Sequence, residues 1–319
     1  MTTRHAAILF LKRLARMGGI LIGVSLLTFV LLELVPGDAA DLLLSSQMQT
    51  ASPAQAAALR QELALDAPLP LRYLRWLGRA AVLDFGTSIR SGEPVSREIL
   101  RCLPVTMTLA LLTFSFAVTV SVLGGIIAAL FEKRLPDRGH RLFAILAVSI
   151  PDYWLGLMLL LLFALKLGWL PVLGGSGPEA FILPVLALGL SAAAAEGRVF
   201  RASIIATLQQ DWVLFARAKG LHPAKVWLRH VLRPAALPML SVWGMQLGHL
   251  LGGAVVIESV FSLPGLGKLA ADAVLQRDLP MIQGAVLAMT CFFILASGAM
   301  ESIHALLAPK NRLAMADMP

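Results

Sequence analysis

The residues that could do chemistry in this chain are few and mostly out of register. Gly265-Leu266-Gly267-Lys268 approaches the glycine-rich loop whose backbone N–H groups cradle phosphates. Leu269 stands where a Ser or Thr would hold magnesium, and the first glycine of that pattern is missing. No nucleotide is therefore expected on this chain. Gly174-Gly175-Ser176-Gly177 offers a nucleophile in a G-x-S-G string, and His249 is the one histidine deep in an apolar run. An intramembrane serine hydrolase needs that serine at a helix start, facing the histidine. Pro171 and Pro178 place it in a turn instead, which makes a hydrolase the distant alternative. Met245 and His249 lie four apart on one helix face and would offer a soft-plus-imidazole pair to a transition metal. A lone membrane histidine more often bonds a neighbouring helix, and no full metal site is written here. Cys102 and Cys291, the only cysteines, form neither a CxxC pair nor a disulfide framework. Asp152, directly after Pro151, is the most deeply placed charge. With Met245 and His249 it is a candidate for a polar translocation path.

Composition says what must position these residues. Of 319 residues, 58% are hydrophobic and only 14% charged. Mean hydropathy is +0.78. A soluble domain has roughly 45–50% apolar and about 25% charged residues, so lipid must be the solvent for much of this surface. A soluble enzyme, a disordered chain, collagen and a coiled coil are excluded.

A spanning helix needs about 20 mostly apolar residues, because lipid offers its backbone no partners. Six segments qualify: Met17–Val35, Cys102–Phe131, Leu142–Leu165, Ala180–Ile205, Ala235–Ile257 and Leu279–Leu307. The first has no cleavage site of the A-x-A kind after it and reads as a retained helix. Pro151 should kink the third, and the fourth is weakest because Glu196, Arg198 and Arg201 fill its second half. The fifth carries Gly244, Gly248 and Gly252 in one row, a packing seam either for a second subunit or within the chain. Glu33 and Glu258 sit near the outer ends of their spans, where water should reach them.

Charge orients the chain. Residues 1–16, 131–141, 196–233 and 308–319 together carry a net +12, while the long connector 37–101 has seven basic and seven acidic residues. That asymmetry is the positive-inside pattern, with both termini cytoplasmic. The pI of about 10.1 thus reports topology, and no nucleic-acid partner is expected. The organisation follows: a first segment and span over 1–36, an outer loop over 37–101, a five-helix core over 102–308 and a tail over 309–319. In the outer loop, Ser52-Pro53 should start a helix over Ala54–Leu65. Leu69–Leu83 should form a second, lying along the headgroups. The cytoplasmic stretch Gln209–Arg233 reads as two short helices broken at Gly220, with Pro223 starting the second. Held by spans at both ends, it is a handle that a partner could grip.

Within that handle stand Phe215-Ala216-Arg217-Ala218-Lys219-Gly220-Leu221, then Arg229-His230-Val231-Leu232-Arg233 and Leu237-Pro238. This resembles the coupling loop of bacterial ABC importer permeases of the peptide and nickel branch. Further matches run along the chain: Leu34-Val35-Pro36-Gly37-Asp38, Asp84-Phe85-Gly86-Thr87-Ser88, Ser149-Ile150-Pro151-Asp152-Tyr153-Trp154, Glu258-Ser259-Val260-Phe261 and Pro264-Gly265-Leu266-Gly267. Ala39 and Pro234 depart from the family's usual Pro and Asn, and Leu214 stands where importers in general prefer Glu.

The resemblance implies an all-α, six-helix permease of the type I importer fold in the bacterial inner membrane. It implies a second homologous permease, two cytoplasmic ATP-binding subunits that carry the ATP and magnesium, and an extracytoplasmic substrate-binding protein. Transport would proceed by alternating access, with Ala216, Arg217, Ala218, Lys219, Gly220, Leu221, Arg229, His230 and Arg233 in the loop that docks on the ATPase. The stretch Pro238–Gly253 looks closer to the nickel branch, so nickel or a metal–chelator complex is the expected substrate. Dipeptides or oligopeptides are the alternative.

Overall fold

The computed structural model describes residues 3–34, 67–171 and 177–307. The expected helix at Ala54–Leu65 and the Gly174-Gly175-Ser176 string lie outside the described residues. Eleven α-helices make up the fold among those described: α1 (Thr3–Glu33), α2 (Leu69–Ala80), α3 (Val95–Leu130), α4 (Leu135–Ser149), α5 (Asp152–Leu159), α6 (Ile182–Leu208), α7 (Asp211–Ala218), α8 (Pro223–Lys225), α9 (Arg233–Val260), α10 (Leu266–Gln276) and α11 (Leu279–Leu307). Two π-helical stretches, Leu160–Lys166 and Val226–Leu232, extend α5 and join α8 to α9. The one β-type contact among described residues is an isolated bridge between Thr87 and Pro94.

Among the described residues five helices are long and apolar enough to cross a membrane, and α4 with α5 makes a sixth if that pair counts as one span. The expected spans thus recur, with three corrections. The third is a break rather than a kink, its two halves bent by 99°. Ile150 precedes a proline and is pushed to extended backbone (ψ 125°), and Pro151 continues it (ψ 137°) before Asp152 restarts the helix. The second begins at Val95, seven residues early, so Arg97, Glu98 and Arg101 lie on the helix before the apolar run. The fifth does not start afresh at Ala235 but continues a helix begun at Pro223.

The chain divides into two compact units. The first comprises Met1–Val105 and Pro264–Ile294. In it α2 is strongly amphipathic, opening with Pro68 before Leu69-Pro70 and turning Tyr73, Trp76 and Ala80 inward. Phe29 of α1 meets Tyr73 edge-on with ring centroids 5.5 Å apart, and Trp76 at 6.2 Å. Tyr73 Oη and Ser25 Oγ share a 2.8 Å hydrogen bond. Glu33, expected to face water, is partly exposed and accepts from Arg72 at 2.6 Å. Val95, Ile99, Leu266, Met281 and Ala285 form this unit's apolar core. The connector between α2 and α3 is pinned by Asp278, only 3% exposed, which takes the Ser88 hydroxyl at 2.5 Å and caps α11 through the Met281 N–H at 3.2 Å. At the same connector, Arg79 donates to Asp84 at 2.9 Å, and the Gly86 N–H adds a 3.0 Å bond. The Arg79 guanidinium, then that N–H, hold the Asp84 carboxyl below the usual carboxylate range.

The second unit comprises Thr106–Leu263 and Leu295–Pro319. Its centre is α6, whose Leu183, Ala187, Ala193, Ala194, Phe200 and Ile204 are buried. α3 crosses α6 at Gly125, where an added Cβ would lie 3.0 Å from the Phe200 ring and 3.2 Å from backbone on α6. Small residues permit that close approach where lipid provides no hydrophobic drive.

Candidate functional site

The handle folds as two short helices. Val213 and Ala216 of α7 and Val226 and Val231 of the following helix are buried against Phe200, Ile204, Ala235 and Met239. Between them the chain reverses at Gly220, whose φ of +73° is costly for any residue with a Cβ. His222 then caps the next helix by accepting the Ala224 N–H at 3.3 Å. Pro234 brings no N–H to the carbonyl of His230 four residues earlier. That carbonyl instead accepts from Trp212 Nε1 at 3.4 Å, and the π-helical stretch ends at Leu232, leaving Pro234 in the first turn of α9. Of the expected docking residues, Ala216 is buried, Leu221 and His230 are half-buried, and Arg217, Ala218, Lys219, Gly220, Arg229 and Arg233 are exposed. Trp212, Leu214 and Phe215 are exposed beside them, and Lys219 Nζ sits 4.5 Å over the Phe215 ring. Arg217, Leu221 and Trp227 help line a cleft of about 360 Å³. A basic rim around exposed aromatics suits a protein partner.

A second cavity, of about 380 Å³, opens at the break between α4 and α5. Asp152, Ser191, Gln246 and His249 are its polar lining. Ser191 Oγ donates to Asp152 Oδ1 at 2.6 Å. The structure thus brings Asp152 and His249 together but not Met245, which is 74% exposed and does not line the cavity. Among the described residues no three His, Cys, Asp or Glu side chains cluster in a way that could hold a metal ion. The glycine row is divided too. A Cβ on Gly244 would meet Met300 of α11 at 3.2 Å, whereas one on Gly252 would meet nothing within 4 Å.

Three charged groups of the second unit are buried. Glu258, expected near water, is 0% exposed and accepts from Thr106 Oγ1 at 2.6 Å. Thr106 belongs to α3, so a partner brought by the fold and not depth along the span accompanies its burial. Asp137, which sequence reasoning missed, is also 0% exposed. Arg201 Nε and Nη2 bind it at 2.5 and 2.9 Å, Arg141 Nη2 at 3.0 Å and the Lys133 N–H at 2.8 Å, tying α4 to α6. An arginine inside a span demands a partner, and that was the available signal. Glu196 is 2% exposed and faces Ser121 and Trp243 without a well-formed hydrogen bond to either.

Long apolar helices, a basic hairpin continuous with one of them and a polar cavity at a broken span are the features of a multi-pass membrane protein. Comparison with known proteins makes the class particular. Residues 121–313 match the family described as binding-protein-dependent transport system inner membrane component, and residues 8–110 match its N-terminal part. The chain belongs to this family. It is similar to the glutathione transport system permease protein GsiC of Salmonella paratyphi A, 39% identical over 303 residues that cover 95% of this chain and 98% of that one. The GsiC protein of Escherichia coli K12 is 38% identical with the same coverage.

Among solved structures, the inward-facing MetNI methionine ABC transporter superposes with a TM-score of 0.52 at 15% identity, covering 66% of this chain and 95% of that one. An amino acid ABC transporter crystallised with histidines gives 0.50 at 17% identity, over 67% and 94%. Those two speak to the fold, that of a type I importer permease. The chain is therefore an ABC importer permease subunit of the inner membrane, working with an ATPase and a substrate-binding protein and not itself an enzyme. The hydrolase alternative, built on Ser176 and His249, is set aside.

Proposed function

We propose that this permease carries short peptides of the glutathione kind inward, in place of the nickel or metal–chelator complex expected from Pro238–Gly253. The observation that carries this reading is the 39% identity to a glutathione permease along nearly the whole chain. The cavity supports it, since a carboxylate, a hydroxyl, an amide and one imidazole suit a polar organic solute better than a bare transition metal. ATP closes a pair of ATPases, the Ala216–Arg233 helices follow them, and the spans switch the cavity between the two sides of the membrane. A second homologous permease and an external binding protein complete the assembly. Both termini lie in the cytoplasm, a placement supported by the net +12 of the connectors assigned to that side.

The test is uptake by the complete transporter in liposomes, with labelled glutathione, dialanine and radioactive nickel offered separately. Glutathione or dialanine should accumulate only with ATP. Accumulation of nickel alone would overturn the peptide reading in favour of the metal.

A further inference from the structure

The break in the third span places more in one cavity than a bend requires. The last four carbonyls of a helix have no partner within it, and Pro151 offers no N–H to the end of α4. Val148 and Ile150 from that end, and Asp152 from the start of α5, line the same cavity. Non-helical backbone at membrane depth is tolerated where it faces protein or polar contents, and interrupted helices are where transporters hold polar groups. Ser191 of α6 and Gln246 and His249 of α9 complete its polar lining.

The sign of this lining selects a ligand. The C-terminal end of α4 carries partial negative charge and the α5 N-terminus partial positive charge, and beside them the Asp152 carboxylate adds a full negative charge. Ser191 occupies Oδ1, and among the described residues no hydrogen bond reaches Oδ2. No lysine or arginine lines the cavity. That corner therefore offers acceptors to an ammonium group, while the Gln246 amide and His249 imidazole add donors to the same lining.

We propose that the cavity is a substrate site within the permease, in which Asp152 and the α4 carbonyl end bind the free amino group of a peptide and Gln246 with His249 face its amide or carboxylate side. Its volume of about 380 Å³ lies within the range of small-molecule sites, about 300–1,000 Å³. The proposal rests on the peptide reading and names the group by which the permease itself would recognise such a substrate.

The permease–ATPase complex in nanodiscs, without its binding protein, tests this by equilibrium binding of labelled glutathione. Dialanine and amino-blocked N-acetyl-dialanine serve as competitors. Wild type should favour dialanine by about tenfold or more, since a site built to bond a polar group rejects the analogue lacking it. Asp152→Asn should bring that preference to about one with ATPase co-purification unchanged. Ser191→Ala, which keeps the carboxylate but frees it to turn, should lower the preference severalfold and serves if Asp152→Asn does not assemble. A preference that survives both substitutions, or no glutathione retained by a wild-type complex that does import it, would overturn the site and leave the peptide reading standing. Failure of the complete transporter to import either peptide would instead remove that reading, and the amino-group assignment with it.

Discussion

Arg201→Ala is the sharpest probe of how the second unit holds together. Asp137 is wholly buried and receives four bonds, two of them from the Arg201 fork. Arg201 is itself only 18% exposed, whereas Arg141, the other cation, is 50% exposed and screened by solvent. Removing one partner of a buried ion pair costs about 3–5 kcal/mol because the remaining charge is stranded. The Lys133 N–H and Arg141 persist, so the lower end, about 3 kcal/mol, is expected here. At about 2–4 °C per kcal/mol for a domain of this size, the midpoint should fall by about 6–12 °C. Thermal unfolding in detergent, followed by tryptophan fluorescence, reads this directly. Arg141→Ala should cost less than about 1 kcal/mol as an exposed pair. Adding Asp137→Leu to Arg201→Ala should recover part of the loss by removing the stranded carboxylate. The reasoning fails if Arg201→Ala melts within about 2 °C of wild type, or costs no more than Arg141→Ala.

Other outcomes follow from single positions. Gly220→Glu puts a Cβ at a φ of +73° and a negative charge on the basic loop; it should leave insertion intact but separate ATP hydrolysis from uptake, and unchanged uptake would count against the coupling role. Gly252→Leu projects into open space and improves helix propensity by up to about 1 kcal/mol, so the chain alone should melt no lower than wild type. If that face seats the second permease, co-purification of the two should drop at least about tenfold, as expected when a close helix contact is blocked; unaltered pairing would show that Gly252 seats no partner. The ordering that Asp84 gives its loop should be present above the ordinary carboxylate range and disappear as pH falls through the lowered folded value, because only the ionised form binds Arg79 and the Gly86 N–H. Hydrogen exchange of residues 84–92 between pH 5 and pH 2 would show it, and flat protection across that range would refute it.

What the sequence made legible was local or compositional. Apolar runs located the spans, and Gly220 with Pro223 located the hairpin, because a left-handed turn and a helix start each depend on one residue. The size of the break at Pro151 was hidden, since a proline alone fixes its own φ and its predecessor's preference but not the direction in which the next helix leaves. The continuity from Pro223 to Val260 was hidden by Pro234, which reads as a stop until a π-helical stretch and the Trp212 indole absorb its missing donor. The cavity was half visible. Asp152 and His249 drew attention as ionisable residues in spans, but Ser191 is an ordinary residue in an alanine-rich run until the fold sets it 2.6 Å from Asp152. Asp137 and Arg201, 64 positions apart, join only through the packing of α4 on α6.

The unbroken helical rod from Pro223 to Val260 has a mechanical consequence. Its 38 residues span roughly 55 Å at about 1.5 Å each, nearly twice the roughly 30 Å of hydrocarbon it must cross. Rocked by 10° about its midpoint, such a lever would swing its tips by roughly 5 Å but displace His249, some seven residues from the fulcrum, by only roughly 2 Å. Solute held beside the pivot would stay nearly still while the two mouths trade places around it.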